Sequence, residues 1–402
     1  MKKKVLYFIK LLVVFAILYD INFLAFPSLT TARLSLLLLI FYAFYFRIRI
    51  NIVFIQYLVL IGFIFSLALI QFLFSQESTQ ISRLLWFVLY GIIGPVILNT
   101  LMKDKNEFFL LVTLSTFIQA IIALTSFITP SFKMFLYSTV IFTANFDETQ
   151  VLRAVSLSSV AGASLSVIQS FGVISALLLL RYTSFSAKFT LFLWLQILVI
   201  TISIFIIGRT GLIISFLAIF IFLFSFRFSI KRIIVATLAI ILVYQVNFMG
   251  ILENQMKDVE GFNIDFFRAW IENAFSFKDN QTSEDLKSMP IPPLTFETIV
   301  GTGKVENKNL GVNASGHDSG YIQSYYSLGL ILTFFFYLTY LSFLVCQIKA
   351  IETTVLYLLI ALIFVIEVKE PFIFQYGLPF FILSTILVFN KFPRYSSINT
   401  KN

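Results

Sequence analysis

Apolar residues run along this chain in long blocks, and polar ones are confined to short turns and two longer stretches. A helix needs about 20 apolar residues to cross the hydrocarbon core of a bilayer, and blocks of that order recur from end to end. The first, Val5–Phe26, follows the basic Met1–Lys4 and has no small-residue cleavage site after it, so it reads as an uncleaved first span. Further spans are predicted near Ala32–Phe46, Ile52–Phe74, Ile81–Met102, Phe108–Ile128, Leu157–Leu180, Phe189–Ile207, Gly211–Phe228 and Ile233–Met249. The last three are predicted near Tyr321–Val345, Thr354–Val368 and Gly377–Phe389. The expected fold is therefore an all-α polytopic membrane protein of about 12 transmembrane helices, with a long extracytoplasmic loop before the tenth. Helices one to nine fall within residues 1–249, the loop occupies 250–319, and helices ten to twelve lie within 320–402.

The two polar stretches have different textures. Pro130–Arg153 reads as an irregular loop. The longer one, Gly250–Ser319, carries Phe267, Trp270, Ile271, Ala274 and Phe275 at helical spacing, which predicts an amphipathic surface helix with Arg268 off its apolar stripe. Pro290, Pro292 and Pro293 then interrupt regular structure, and Gly301-Thr302-Gly303 predicts a flexible turn.

Composition agrees with the pattern: 59% of the 402 residues are hydrophobic and 12% charged, and mean hydropathy is +0.94. The net charge of +9 is spread over the turns between spans and not gathered into one basic domain, so no nucleic-acid partner is expected. It serves orientation instead. With a cytoplasmic amino terminus, Lys2, Lys3, Lys4, Arg47, Arg49, Lys103, Lys105, Arg181, Lys188, Arg227, Lys231, Arg232, Lys349, Lys391 and Arg394 all fall on the cytoplasmic side. Both termini are then inside, and both long polar stretches outside. The single cysteine, Cys346, forms no internal disulfide and no zinc spacing.

Candidate chemistry gathers on the outer side. His317, the only histidine, sits in Gly-His-Asp-Ser-Gly-Tyr where the long loop meets a span. It either caps that helix or, as a neutral imidazole, accepts a proton from a substrate hydroxyl. Asp318 either orients it or is the N-cap of the next helix. Arg209, in Gly-Arg-Thr-Gly, is either an interfacial arginine satisfied by lipid or a phosphate ligand, with glycines that let a backbone or a ligand come close. Arg153 closes the other outer stretch, and Arg33 and Arg83 lie at further outer ends; guanidinium forks of this kind suit a phosphorylated or pyrophosphorylated lipid head group. Glu367-Val368-Lys369-Glu370-Pro371 is either a neutralised helix end or a functional group of charges. In the second case Glu367 or Glu370 acts as acid or base from one helix face while Lys369 binds an anion. No phosphate-cradling nucleotide loop is present in the sequence, and neither a metal nor a cofactor is expected.

These features together resemble the bacterial O-antigen polymerase and O-antigen ligase superfamily. The shared pattern is the helix count, the Gly-Arg-Thr-Gly turn, the long outer loop with its Arg and Trp, and His-Asp-Ser-Gly-Tyr leading into Tyr-Ser-Leu-Gly-Leu. Glu-Val-Lys-Glu-Pro is similar to a segment of capsule and O-antigen polymerases. Arg153 matches a family arginine loosely, since the residues after it depart from the usual glycine-containing pattern. The resemblance implies a glycosyltransferase at the outer face of the bacterial inner membrane that joins polyprenyl-diphosphate-linked repeat units. In that implied site His317 serves the acceptor and Arg209, Arg153 and Arg268 hold the diphosphate; Asp318, Tyr321, Glu367, Lys369 and Glu370 complete the candidate contacts. The implied partners are the lipid-linked oligosaccharide, membrane lipid and a chain-length regulator protein. A ligase acting on lipid A-core, and a lipid-linked oligosaccharide flippase, are the alternative readings.

Overall fold

The structure, a computed structural model, describes residues 2–27, 29–48, 52–142, 154–183, 185–224, 288–307, 312–349 and 353–392. In chain order the helices are α1 (Lys2–Tyr19), α2 (Thr31–Tyr45), α3 (Ile52–Ser75), α4 (Thr79–Trp86), α5 (Gly94–Leu101), α6 (Lys105–Ile128), α7 (Pro130–Thr139), α8 (Gly162–Tyr182), α9 (Ala187–Ile207), α10 (Arg209–Phe224), α11 (Phe296–Val300), α12 (Gly320–Leu328), α13 (Leu330–Gln347), α14 (Thr353–Ile366) and α15 (Gly377–Lys391). A π-helical stretch, Phe87–Ile93, joins α4 to α5, and one short antiparallel pairing sets β1 (Glu306–Asn307) against β2 (Val312–Asn313). Among the described residues six helical runs are long and apolar enough to cross a membrane: Ile52–Ser75, Thr79–Leu101, Lys105–Ile128, Gly162–Tyr182, Ala187–Ile207 and Leu330–Gln347. Four shorter apolar helices accompany them. The expected ninth span, Ile233–Met249, and the amphipathic helix around Trp270 lie outside the described residues.

The chain divides into two compact units, the first built from Met1–Asn22, Phe26–Leu111 and Thr282–Asn402, the second from Phe23–Ala25 and Val112–Gln281. In the first unit α3 shows how composition becomes packing. Its buried positions Phe54, Tyr57, Ile61, Ile64, Ala68 and Gln71 recur three and four residues apart, with Tyr57 stacked on Phe343 of α13 at 4.1 Å. Val59, Phe63, Ile70 and Phe74 are exposed on the other side, as suits a helix with lipid on one face and protein on the other. The far end of the same unit is held by a buried ion pair, Lys10 Nζ to Glu107 Oε1 at 2.9 Å. Close by, Lys391 Nζ donates to the carbonyls of Asn99 (2.8 Å) and Met102 (2.9 Å), which helix α5 leaves without intrahelical donors.

In the second unit α8 is the central helix: every residue from Ser164 to Leu179 is buried. Its small residues allow neighbours to approach closely, the usual basis of helix association in lipid. At Gly211 of α10 a Cβ would overlap the carbonyl of Ser166, and the Gly211 N–H donates to Ser166 Oγ at 3.0 Å.

Four sequence expectations are corrected. Pro130–Arg153 is not wholly irregular: Pro130, whose ring suits the first helical position, opens the ten-residue helix α7. The span predicted from Leu157 begins at Gly162, because the chain from Ala154 is first extended and buried, with the Ala154 N–H on Ile206 O (3.1 Å) and Gln119 Nε2 on Ser156 Oγ (2.8 Å). The single span Tyr321–Val345 is two helices broken at Gly329, whose φ of 90° a side chain would strain. Gly301-Thr302-Gly303 is not a flexible turn. The Thr302 and Gly303 amides donate to the carbonyls of Tyr326 (3.0 Å) and Ser327 (2.9 Å), and Gln71 Nε2 bonds both Val300 O (2.6 Å) and Leu328 O (2.9 Å).

Replacing Gly211 by leucine drives a side chain into the α8 backbone, and overpacking of this kind costs about 1–3 kcal/mol. Gly211→Leu is therefore expected to lower the Tm of the purified protein in detergent by several degrees; a Tm equal to that of the parent would count against this helix contact.

Candidate functional site

Helix α14 stops at Ile366, and five residues later Pro371 forbids a return to helix. The turn between them points Glu367 inward, with no exposed surface. A carboxylate taken from water must have its lone pairs met, and here they are. Tyr337 Oη donates to Oε1 at 2.7 Å, and the Ile373 N–H donates to Oε2 at 2.8 Å. The Glu367 backbone carbonyl in turn accepts the Gly320 N–H at 2.9 Å. One residue thus joins α13, the segment after Pro371 and the start of α12. Gly320 has to be glycine for this, since a Cβ there would overlap Oε1 of Glu367.

This arrangement corrects the expectation that Glu367 and Glu370 share a helix face: they lie in a turn. Lys369 and Glu370 pair with each other at 3.9 Å, both partly exposed. Tyr321 is turned to a structural task, its hydroxyl donating to Phe364 O at 2.8 Å and its ring lying 4.6 Å from that of Tyr337.

The clamp on Gly320 fixes the three residues before it. His317 is buried. Its backbone is braced by Ser315, whose hydroxyl accepts the His317 N–H (3.2 Å) and donates to its carbonyl (3.1 Å). The Ser319 N–H donates to Nδ1 of the imidazole at 3.0 Å. Asp318 neither caps α12 nor bonds the imidazole, which corrects both readings of it: it is exposed and accepts from Asn313 Nδ2 at 3.2 Å. The N-cap position belongs to Ser319, without a side-chain cap bond.

Cations stand in the same unit. The Arg83 guanidinium lies over Phe374 at 4.5 Å, next to the Ile373 amide that binds Glu367, and it feels the charges of Glu367 and Glu306. Arg33 lies over Trp86 at 4.8 Å and also bonds Tyr376. Cation–π contacts of this kind hold a guanidinium in place while its N–H edges stay directed elsewhere. Beside Arg33, burial shields the Asp20 carboxyl from water, and it is met by bonds from Thr30 and Ala32 and by the charge of Arg33. Burial pushes the Tyr376 hydroxyl up to about 12, with Asp20 adding to the rise.

Of the expected site, His317, Asp318, Tyr321, Glu367, Lys369 and Glu370 share the first unit, together with Arg33 and Arg83. Arg209 opens α10 in the second unit, partly exposed, and its flanking Gly211 admits a helix backbone. Arg153 and Arg268 lie outside the described residues. Sequence reasoning missed Tyr337, Asp20, Gln71 and Glu77, the last accepting the amides of Val305 (2.9 Å) and Glu306 (3.0 Å). Polar residues inside or at the ends of apolar runs were the available signal. Among the described residues no group of three or more His, Cys, Asp or Glu side chains is gathered to hold a metal ion.

No protein-family model matches the chain, and no curated protein or solved structure matches it either.

Removing the Glu367 carboxylate leaves the Ile373 amide buried without its acceptor, at roughly 1–3 kcal/mol for a stranded group, and takes from the Tyr337 hydroxyl its shortest hydrogen bond, leaving it only the Gly320 carbonyl and the Ser324 hydroxyl. Glu367→Ala is expected to lower the Tm and the folded yield far more than Glu370→Ala. Equal effects of the two substitutions on a thermal-shift curve would contradict the clamp.

Proposed function

We propose that this chain is a bacterial polysaccharide polymerase, a glycosyltransferase of the O-antigen or capsular type. In this reading it lies in the inner membrane with both termini in the cytoplasm and works at the outer face. It joins repeat units carried on polyprenyl diphosphate. The observation that carries the reading is the company kept by His317. The only imidazole of the chain is buried, bonded by the Ser319 amide, three residues before the Gly320 that Glu367 fastens, and Arg83 lies on a ring adjoining that same clamp.

The chemistry asks for that inventory. Diphosphate is a good leaving group, so the enzyme has to orient two sugars and stabilise charge on the departing oxygens; preorganised cations and N–H donors supply the second. Arg83 and Arg33 are the candidate cations of the unit that holds His317; Arg209, in the second unit, is a candidate on the family resemblance alone. Energy comes from the donor bond, so no nucleotide is needed outside the cell. The long apolar carrier requires a path along helix faces of the kind α3 leaves open to lipid.

The test is a gel of surface polysaccharide from cells lacking the gene, complemented by variants at equal membrane abundance. Loss of the long ladder with a single repeat still attached to lipid A-core, or loss of capsular polymer, is the expected result for the deletion. His317→Ala and Arg209→Ala are each expected to cut polymer by roughly 100-fold or more. Polymer accumulating on its carrier would instead point to a ligase, and an unchanged ladder would overturn the assignment.

A further inference from the structure

The geometry around His317 points to a role for the imidazole that differs from the general base anticipated in the sequence. We propose that His317 enters the reaction as a neutral hydrogen-bond donor through Nε2, directed at the oxygens of the departing diphosphate. This inference rests on the glycosyl-transfer reading above for its substrate, though not for its chemistry.

A neutral imidazole has one N–H and one lone pair, and whichever nitrogen accepts a hydrogen bond cannot carry the proton. The Ser319 amide, a donor with no alternative protonation state, reaches Nδ1 at 3.0 Å. The lone pair is therefore on Nδ1 and the proton on Nε2. A general base needs a lone pair facing the acceptor hydroxyl, and this ring has its lone pair turned into its own loop. Moving the proton to Nδ1, so that Nε2 could act as a base, would set an Nδ1–H against the Ser319 N–H, two donors face to face. The loop also resists such a change. Ser315 braces the His317 backbone on both sides, and Gly320, one residue past Ser319, is fastened to Glu367. Among the described residues Nε2 has no hydrogen-bond partner, so its N–H remains for a ligand.

The transfer step balances without a histidine base. The anomeric carbon–oxygen bond breaks with its electron pair going to the diphosphate, while an electron pair of the acceptor oxygen forms the new glycosidic bond. The acceptor's hydroxyl proton passes to the departing diphosphate, whose charge the Nε2–H and the arginines stabilise. His317 ends the step in the protonation state in which it began it.

A chain with one histidine makes the test direct. Protein purified without a histidine tag, labelled with ¹⁵N-histidine and placed in nanodiscs, gives one pair of imidazole nitrogens by NMR at neutral pH. A pyridine-like Nδ1 with a pyrrole-like Nε2 is expected; a pyrrole-like Nδ1 overturns the inference, whatever the protein's activity. In polymer formation, His317→Gln offers an amide N–H in place of Nε2–H and is expected to stay within about tenfold of the parent. His317→Ala is expected to fall by about 100-fold or more, the loss typical of a missing oxyanion donor. Glutamine failing as completely as alanine, with both variants equally folded, would also overturn the donor role. Failure of the parent protein to form polymer at all would strike the functional reading and leave the tautomer to be decided by the spectrum.

Discussion

The first unit depends on one buried carboxylate. Glu367 lies wholly inside protein at the end of a helix, where an unpaired charge would be several kcal/mol too costly to keep. Its cost is offset because two donors meet on it, a tyrosine hydroxyl from α13 and an amide from beyond Pro371. An apolar residue could fill the space but could not organise donors from separate segments. What the carboxylate contributes is therefore position. Held there, Glu367 offers its backbone carbonyl to the Gly320 amide at the start of α12, where the loop carrying His317 ends.

From there the rest of the unit follows by contact. Phe374, one residue beyond the bonded amide, carries Arg83 on its face, and Tyr376, two further on, stacks with Tyr90 at 4.3 Å and bonds Arg33. The last stretch of the long loop is fastened to α3 by Gln71 and to the turn after it by Glu77. The described end of a segment that reads as polar and irregular is thereby tied by hydrogen bonds to its neighbours. The second unit uses other means: small residues on α8 and α10 bring backbones together, and the conspicuous glycines beside Arg209 belong to that packing.

Much of this was legible in the sequence, for stated reasons. Blocks of apolar residues report helices reliably when backbone groups have no water to bond, so the long apolar helices Ile52–Ser75, Thr79–Leu101, Lys105–Ile128, Gly162–Tyr182 and Ala187–Ile207 stand within a few residues of where the pattern put them. His317 and Glu367 stood out because ionisable residues near membrane depth are rare. What they do was not legible. Spacing put Glu367 and Glu370 on one face only if the helix continued, and Pro371, visible in the sequence, is the reason it does not. Asp318 looked like a cap, but a cap requires a particular backbone turn, and Ser319 occupies it. The tautomer of His317 hangs on a backbone amide two residues away, which no residue pattern encodes. The break at Gly329 was hidden inside a continuous apolar run for the same reason: composition does not record φ.

We propose that this membrane protein transfers sugar from a lipid diphosphate without any other source of energy. The most direct test is reconstitution of the purified protein into liposomes with polyprenyl-diphosphate-linked oligosaccharide and no nucleotide. The account predicts a ladder of lengthened lipid-linked glycans together with released polyprenyl diphosphate. Oligosaccharide that crosses the bilayer at its original length, with no diphosphate released, would contradict it.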